Sequence, residues 1–306
     1  MTRQGILLIG GTGFLGTALA RTLAAAGREV HVLARGAEPG QRDGVHYHRG
    51  AQDEARLVTP LLRGCHTVVH LASSSTPGTS TASLMTEVEQ SLLPTARLLD
   101  IMESTPPVRL LFISSGGSLY GNPLHLPVSE KYPASPISCH AAGKVSLEAF
   151  FTTFAHGRNI PLAILRPSNL YGPGQPLRAG FGIVRTLLEK VRLGEPIEIR
   201  GDGSAVRDYL YIDDAVDACR RLIDTPQATG PYNAGSGSGV SIATLVRLCS
   251  EATGRTIPVT HQAAPNTDVR AIILDSQRLK SATGWKPEME LSAGIARTWH
   301  WLTEGF

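Results

Sequence analysis

Short apolar runs alternate with longer amphipathic stretches through the first half of the chain. The apolar runs predict strands at 6–9, 30–33, 45–48, 67–71, 110–114 and 162–165. Helical periodicity in the intervening segments predicts helices at 14–26, 83–102 and 141–154. Near-continuous apolar strands separated by helices are typical of a parallel sheet that is covered on both faces. We therefore expect an α/β fold with a doubly wound parallel sheet.

The pattern changes after Arg166. The segment 166–182 is rich in glycine and proline and is interpreted as a loop, and a short strand is expected at 196–199. Further helices are predicted at 183–193, 215–223, 242–252 and 292–302. Because no low-complexity linker separates the two halves, we expect a smaller C-terminal α/β lobe interleaved with the first domain. The predicted division gives residues 1–166 and 209–233 to the larger domain, and residues 167–208 and 234–306 to the smaller lobe.

Three glycines follow the first predicted strand and open the first predicted helix. In the motif GGTGFLG they are Gly10, Gly13 and Gly16. Glycines at this place let the backbone turn sharply and approach a pyrophosphate, while the helix N-terminus supplies N–H donors and partial positive charge. This context predicts a Rossmann-type NAD(P) site with Phe14 and Leu15 at the start of its helix. A tight turn that merely carries glycines is the alternative.

The end of the second predicted strand bears on the choice between NAD and NADP. An acidic residue there would accept hydrogen bonds from the ribose 2′-hydroxyl of NAD, whereas an arginine accommodates the 2′-phosphate of NADP. The strand ends in Ala34 and Arg35, so the acid is missing and a cation follows. This pair favours NADP, or acceptance of both cofactors. The alternative is that Arg35 is a solvated loop cation.

Charge and composition narrow the class of partners. The net charge is +3 and the pI is about 8.7, without a run of Lys/Arg interleaved with aromatics, so nucleic acid is not an expected partner. The four cysteines form no C-x-x-C pair, and we expect neither a metal site nor a disulfide framework. No apolar stretch reaches the length of a membrane span and no signal-peptide pattern is present, so the expected location is cytoplasmic.

Five motifs follow one another along the chain. They are GGTGFLG, VVHLAS (68–73), ISSGGSLYG (113–121), LRPSNLYGPGQ (165–175) and GDGSAVRDYLYIDDA (201–215). In this order they resemble the NAD-dependent epimerase/dehydratase family, a group of extended short-chain dehydrogenase/reductases that includes UDP-glucose 4-epimerase. The C-terminal segments ATGWKP (282–287) and GIARTWHW (294–301) also match the pattern of that family.

The resemblance implies a nucleotide-sugar epimerase that removes a hydride to give a keto-sugar and then returns it, or a closely related dehydratase or reductase. It implies NAD as the cofactor and a nucleotide sugar, in the first place a UDP-sugar, as the substrate. It also implies a homodimer formed through the helices at 83–102 and 141–154. Beyond the glycine loop, the cofactor contacts implied by the resemblance are Leu71, Ala72, Ser114, Lys144 and Pro167.

The reacting centre departs from the family pattern. That pattern has a Ser/Thr and a Tyr-x-x-x-Lys pair, in which the lysine holds the nicotinamide ribose and lowers the tyrosine pKa. Lys144 matches the lysine, but His140 stands at the tyrosine position and Gly116 at that of the Ser/Thr. Imidazole has a pKa near neutrality and can act as acid or base, so His140 and the neighbouring Ser118 are candidate catalytic residues. The alternative is that His140 only fills space.

The resemblance also implies residues on the substrate side. Ser115 and Ser118 lie in the loop beside the reacting sugar, and Asn169 would contact the diphosphate. Arg207 would pair with the phosphates, because its planar fork of donors suits phosphate oxygens. A local ion pair of Arg207 with Asp208, Asp213 or Asp214 is the alternative. Pro265 stands where the family pattern has a further arginine, and the nearby Arg270 is a possible substitute.

Two other functions remain open from the sequence. The altered tyrosine and serine positions fit a cofactor-binding protein with weakened or lost redox chemistry, because cofactor binding and catalysis use many of the same residues. A tailoring reductase that acts on a non-sugar substrate is the other, and it would show no affinity for nucleoside diphosphates.

Overall fold

The computed structural model describes residues 4–76, 83–178, 180–256, 258–263 and 268–305. Its strands are β1 (Gly5–Ile9), β2 (Val30–Ala34), β3 (Gly40–Arg42), β4 (Val45–Arg49), β5 (Cys65–His70), β6 (Arg109–Ile113), β7 (Leu162–Pro167), β8 (Asn169–Tyr171), β9 (Ile197–Arg200), β10 (Val206–Tyr211), β11 (Gly230–Ala234), β12 (Gly239–Ser241) and β13 (Val259–Gln262). Its helices are α1 (Phe14–Ala25), α2 (Ala55–Gly64), α3 (Leu84–Glu87), α4 (Leu93–Ser104), α5 (Cys139–Arg158), α6 (Ile183–Leu193), α7 (Ile212–Asp224), α8 (Ile242–Thr253), α9 (Gln277–Thr283) and α10 (Leu291–Glu304).

The central sheet has the strand order β11-β7-β6-β5-β1-β2-β4-β3. All of its pairs are parallel except that of β3 with β4 at one edge. The chain runs outward from β1 on one side through β2 and β4, and on the other through β5, β6 and β7. The crevice at this reversal, beyond the carboxyl ends of β1 and β5, is where ligands bind in doubly wound sheets. The expected fold class is confirmed.

Alternate side chains of β1 enter two different hydrophobic cores. Ile6 and Leu8 belong to the core on the side of α1 and α7, whereas Leu7 and Ile9 belong to the core on the side of α2, α4 and α5. All four are 0–1% exposed. A strand buried on both faces has to be apolar at every position, because successive side chains point to opposite faces. This is why GILLI is continuously hydrophobic rather than alternating.

The helical pattern at 83–102 contains Pro94, which predicts either a kink or a new helix. In the structure α3 is capped by Ser83, whose Oγ accepts from the Thr86 amide at 3.1 Å. A π-helical segment, Val88–Leu92, then leads into α4, which has Pro94 in its first turn. Proline is tolerated there because its missing N–H has no partner to lose. The backbone at Leu92 and Leu93 keeps helical dihedrals, so the helix does not start anew at Pro94 but continues through the π-helical segment that precedes it.

The second half of the chain adds two small sheets, β12-β10-β8 and β13-β9. The expectation of a continuous loop at 166–182 was wrong at Asn169–Tyr171, which form β8 and pair in parallel with Tyr209–Tyr211. A three-residue strand has too few positions to show a period, and its partner lies some forty residues further on. Among the described residues, no helix combines the length and the apolar character needed to cross a bilayer.

Candidate active site

The glycine loop between β1 and α1 is pressed against neighbouring backbone. Gly10 has φ +81°, and a Cβ at this position would lie 2.6 Å from the N and Cα of Ala72. A Cβ on Gly16 would lie 2.6 Å from the Cα of Gly11. Both positions therefore require glycine for internal reasons: a left-handed turn at Gly10, and close packing of the helix start at Gly16.

Gly13 is different, because nothing inside the protein requires a glycine there. Its φ is −74°, and the nearest heavy atom to an added Cβ would be the Gly10 oxygen at 3.6 Å. Gly13 is also the N-cap of α1, and no side chain of the described residues caps this helix. The amides of Phe14, Leu15 and the rest of the first turn are thus free of a side-chain acceptor. An uncapped helix N-terminus beside an open glycine fits a bound pyrophosphate.

Leu71 and Ala72 follow β5 directly beside this loop. The Leu71 amide donates to the Ile9 carbonyl at 2.8 Å, which extends the sheet by one residue past its strand end. Arg35 lies on the opposite side of β1, immediately after β2 and the buried Ala34. The Arg35 side chain is exposed and makes no hydrogen bond or ion pair with any of the described residues. Its guanidinium is therefore available to a phosphate.

Lys144 is held at the carboxyl end of β6. Its Nζ donates to the Ile113 carbonyl at 3.0 Å and lies 5.2 Å from the centre of the Phe112 ring. Only 6% of the residue is exposed. Burial lowers the pKa of the Lys144 amine to about 8, and the nearby carboxylates of Glu87 and Glu148 act in the opposite direction. The amine is therefore a buried cation that can lose its proton just above neutral pH.

His140 lies one helical turn before Lys144, in the first turn of α5. Ser138 caps this helix, its Oγ accepting from the Ala141 amide at 3.2 Å. The Nδ1 of His140 is 2.9 Å from Oγ of Ser75, and its Nε2 has no hydrogen bond to a described residue. Burial first, and then the charge of Lys144, lowers the pKa of His140 to about 3. The imidazole is therefore neutral at physiological pH.

The serine loop after β6 contributes two hydroxyls. Oγ of Ser115 and Oγ of Ser118 are 2.9 Å apart. The Ser114 amide donates to the Leu165 carbonyl at 2.8 Å, but the buried Ser114 Oγ has no hydrogen-bond partner among the described residues. An unpaired buried hydroxyl is costly, and a ligand that supplies the missing partner offsets that cost.

Gly116 has no room for the side chain that the family pattern places there. A Cβ would lie 2.5 Å from Cδ1 of Leu274 and 2.7 Å from the Arg166 carbonyl oxygen. The Gly116 amide also donates to the carbonyl of Pro167 at 2.8 Å, which fixes this loop against the end of β7. A hydroxyl for the reacting centre must therefore come from Ser118 or Ser115.

Tyr120 cannot take the place of the missing phenol. It is 1% exposed, and its hydroxyl donates to Oδ1 of Asn233 at 2.7 Å while accepting from Nη1 of Arg166 at 2.9 Å. Arg166 in turn forms two hydrogen bonds with the carboxylate of Glu148, at 2.9 and 2.5 Å. Burial raises the pKa of Tyr120. This network ties β7, α5 and β11 together and makes Tyr120 part of the framework around the site.

The substrate-side residues come together on β8 and β10. Nδ2 of Asn169 donates to the Asp208 carbonyl at 2.9 Å. A Cβ on Gly117 would lie 3.3 Å from this Nδ2, so Asn169 adjoins the serine loop. Arg207 pairs with Asp268 at 3.0 Å and donates to its neighbour's carbonyl, that of Val206.

Asp208, Asp213 and Asp214, proposed from the sequence as ion-pair partners of Arg207, are not its partners. The Asp208 carboxylate is buried among the amides of Ser236 and Leu274, and that of Asp214 accepts from two other backbone amides. Pro265 lies outside the described residues. Arg270 donates its amide to the Asn122 side chain, at 2.6 Å.

Sequence reasoning missed two residues of this site, Ser75 and Glu87. Ser75 belongs to a run of serines directly after β5, and its position at a strand end in the switch crevice was a usable signal. Glu87 lies four residues before Ser91, eight before Thr95 and fifteen before Met102, all of which are buried. A glutamate on the buried face of a helical pattern is a second signal, because a charge is seldom placed there without a reason.

Comparisons with known proteins agree with this geometry. The model of the NAD dependent epimerase/dehydratase family matches residues 6–235. UDP-glucose 4-epimerase of Mycolicibacterium smegmatis is 29% identical over 302 residues, which are 95% of this chain and 96% of that protein. The structure of UDP-glucose 4-epimerase from Thermotoga maritima with UDP-glucose superposes with a TM-score of 0.91 at 26% identity, covering 97% of this chain and 98% of that one.

The UDP-glucose 4-epimerase of Thermus thermophilus in complex with NAD superposes with a TM-score of 0.89 at 28% identity, covering 98% and 99% of the two chains. Together these matches confirm the resemblance carried by the five motifs, the class of enzyme that it implies and the dependence on NAD. The chain belongs to the NAD dependent epimerase/dehydratase family.

Proposed function

We propose that this protein is an NAD(P)-dependent nucleotide-sugar epimerase that acts on a UDP-sugar. The observation that carries the proposal is the buried Lys144 amine at the end of β6, one helical turn from His140 and beside the serine loop. The relatives that bind NAD and UDP-glucose superpose over almost the entire chain, which supports the same two classes of ligand here. Residues 1–166 with 209–233 would hold the cofactor, and the remainder would hold the sugar nucleotide.

The residues present fit a dinucleotide. Three features are left unused by the described residues. Gly13 faces open space, the first amides of α1 have no side-chain cap, and the buried Ser114 hydroxyl has no hydrogen-bond partner. The glycine loop would hold the pyrophosphate, and Leu71, Ala72, Ser114, Lys144 and Pro167 would hold the remainder. When bound, the nicotinamide supplies a hydride acceptor and, in its reduced form, a donor for the sugar carbon.

His140 is the residue we assign to proton transfer at the sugar hydroxyl. Its neutral imidazole has Nδ1 engaged by Ser75 and leaves Nε2 for the substrate. With the Lys144 cation nearby, protonation of His140 is unfavourable, so the imidazole suits a base that quickly returns its proton. A base with a pKa of about 3 is weak, and we expect proton transfer to limit turnover. Ser118 would donate a hydrogen bond to the reacting oxygen.

The diphosphate of the substrate would meet Arg207 and Asn169. The Arg207 side chain is only 14% exposed, and its pairing with Asp268 holds the guanidinium in place at the edge of β10. A guanidinium that is already positioned loses little side-chain entropy when it binds phosphate oxygens.

The test combines cofactor identification with turnover. The purified protein is analysed by mass spectrometry for bound NAD or NADP, and UDP-glucose, UDP-galactose and UDP-glucuronic acid are then assayed for conversion. His140→Ala should lower turnover by about 10²- to 10⁴-fold without weakening cofactor binding. His125→Ala, on an exposed loop, is the control. Equal turnover by His140→Ala and the native protein would refute the role of His140.

A cofactor-binding protein without redox chemistry is the second candidate. The observation that favours it is the absence of room for a side chain at Gly116, together with the weak basicity of His140. A bound cofactor with no hydride transfer to any of the tested sugars would establish this alternative. Binding of the cofactor without affinity for UDP would instead favour a reductase of non-sugar substrates.

A homodimer is also part of the proposal. Apolar side chains on α3, the π-helical segment, α4 and α5 are exposed to solvent by 39–65%: Leu84, Met85, Val88, Leu93 and Phe150. A second copy of the chain would cover them through a two-fold axis, the commonest symmetry of soluble oligomers. Light scattering of the purified protein gives its mass directly, and a monomer at micromolar concentration would contradict this part of the proposal.

A further inference from the structure

Glu87 is a buried carboxylate whose second oxygen has no hydrogen-bond partner among the described residues. The residue is the last of α3 and is 4% exposed, and its Oε2 is enclosed without a donor. It forms no ion pair with any of the described residues. An isolated carboxylate is expensive to bury, so it persists only where a nearby positive charge or a change of protonation compensates.

The structure makes room for this carboxylate beside α5, at the residue that precedes Lys144. Gly143, which precedes Lys144 in α5, faces Glu87 so closely that an added Cβ would lie 2.5 Å from Oε1 and 2.7 Å from Cδ. Any other residue at 143 would push the carboxylate away from α5. The pairing of a glycine on one helix with a glutamate on the other therefore places a carboxylate against the turn of α5 that carries Lys144, near enough for its charge to raise the pKa of the amine.

Two carboxylates among the described residues raise the pKa of Lys144, those of Glu87 and Glu148, and only Glu87 has no ion pair of its own with a described residue. Glu148, one turn further along α5, is engaged by Arg166 through two hydrogen bonds. His70 on β5 and His140 on α5 are both neutral, since burial and then the Lys144 charge lower the pKa of each to about 3. A phenolate at position 140 would have been a counter-charge, but a neutral imidazole is not.

We propose that Glu87 is the counter-charge of Lys144, a positioning residue that keeps the amine protonated in a site where histidine stands in place of the tyrosine. The inference rests on the proposed function only in taking Lys144 as a residue of the cofactor site. Glu87 touches neither cofactor nor substrate. It acts through Lys144, by opposing the burial that would otherwise strip the proton from this amine near neutral pH.

The test is an NMR titration of Lys144 in the protein without cofactor or sugar. With ¹³C-labelled lysine the chain gives five signals, from Lys131, Lys144, Lys190, Lys280 and Lys286, and Lys144→Met identifies the one of interest. The native protein should titrate at about pH 8. Glu87→Gln keeps the shape of the side chain and should lower this midpoint by about 1 unit or more. Glu89→Gln, an exposed neighbour on the π-helical segment, should leave it unchanged.

A second variant keeps the proposal testable if Glu87→Gln does not fold. Glu87→Asp retains the charge on a side chain that is shorter by one methylene. The titration midpoint of Lys144 in this variant should therefore lie between those in the native protein and in Glu87→Gln. A Lys144 midpoint that is the same in the native protein and in the Glu87 variants overturns the proposal. An equal shift in Glu89→Gln overturns it as well, since the effect would then be general.

Binding of NADH gives a readout that connects the charge to the site. At pH 8, a midpoint lowered from 8 to 7 reduces the protonated fraction of Lys144 about fivefold, and affinity should fall by a similar factor in Glu87→Gln. At pH 6, the two proteins should bind alike. A shifted lysine titration in a protein that turns over no sugar would support this inference and refute the proposed epimerase. Sugar turnover by the native protein, with a Lys144 midpoint that the Glu87 variants leave unchanged, would support the proposed epimerase and refute this inference.

Discussion

Ser75 and His140 are 65 positions apart in the chain, yet Oγ of the serine lies 2.9 Å from Nδ1 of the histidine. Ser75 follows β5 and His140 begins α5, so the contact spans the switch crevice. A partner on Nδ1 fixes the ring orientation and leaves Nε2 toward the open part of the site. For His140 to accept a proton at Nε2, its Nδ1 must carry a hydrogen and donate it to Ser75.

Removal of the Ser75 hydroxyl should therefore slow turnover while leaving the cofactor in place. We expect Ser75→Ala to lower kcat by about two- to tenfold, since the net value of one such hydrogen bond is about 0.5–1.5 kcal/mol. The KM for the sugar nucleotide should change less than twofold. Ser104→Ala, at the exposed end of α4, serves as the control. Steady-state kinetics of the two variants give kcat and KM for comparison with the native protein. An unchanged kcat in Ser75→Ala would show that the contact between Ser75 and His140 is only structural.

Two buried neutral histidines should make the protein sensitive to acid. Burial, and then the charge of Lys144, lowers the pKa of His70 and of His140 from 6.5 to about 3. In the unfolded chain both bind protons below about pH 6.5, whereas in the folded chain they stay neutral until about pH 3. The free energy of unfolding should thus have its full value above about pH 6.5. Below that pH it should fall by about 1.4 kcal/mol per pH unit for each histidine.

Urea denaturation at pH 7, 6 and 5 measures this slope. His140→Gln, which has no proton to gain, should reduce the slope by about 1.4 kcal/mol per pH unit. His125→Gln, at an exposed position between β6 and α5, should keep the native slope. Identical slopes in all three proteins would mean that His140 is protonated in the folded state.

The sequence predicted the parts of this molecule that are encoded locally. Ile6–Ile9 and the glycines that follow have their chemistry in adjacent positions, so the strand, the loop and the helix could all be expected. Ser75 and Glu87 could have been marked as unusual from their positions, but their roles could not be assigned, because each acquires its role from α5, which lies more than fifty residues away. The loss of the family's Ser/Thr at Gly116 was visible in the sequence. The lack of space there was not, since Leu274 and the Arg166 carbonyl create it.

That lack of space gives a prediction about restoring the family residue. Gly116→Ser should destabilise the protein by about 1–3 kcal/mol, because the Cβ meets a backbone carbonyl that cannot move as a side chain can. Turnover per folded molecule should not rise. Gly157→Ala is a suitable control, since its Cβ would meet nothing within 4 Å and alanine favours a helix. Thermal denaturation separates the two variants, and a fully stable Gly116→Ser with higher activity would contradict the interpretation.

The glycine loop predicts opposite effects for two neighbouring substitutions. Gly10→Ala should destabilise the fold by about 2 kcal/mol or more, since it combines φ +81° with a 2.6 Å approach to the Ala72 backbone. Gly13→Ala should leave the melting temperature unchanged, because it has ordinary dihedrals and open space. Its affinity for the cofactor should nevertheless fall about tenfold or more, as the methyl group occupies the path of the pyrophosphate. Calorimetric titration with NAD would test this, and native affinity in Gly13→Ala would place the phosphates elsewhere.

Arg35 decides the last prediction, which concerns the choice of cofactor. Its exposed guanidinium has no partner among the described residues, and the preceding Ala34 offers no acceptor for a ribose hydroxyl. Arg35→Asp should weaken NADP binding by at least about tenfold, through the loss of a cation and the addition of an anion beside the 2′-phosphate, and should leave or improve NAD binding. Arg63→Asp, at the exposed end of α2, controls for net charge. If Arg35→Asp left the affinities for both cofactors unchanged, Arg35 would be a solvated cation with no part in the choice between NAD and NADP.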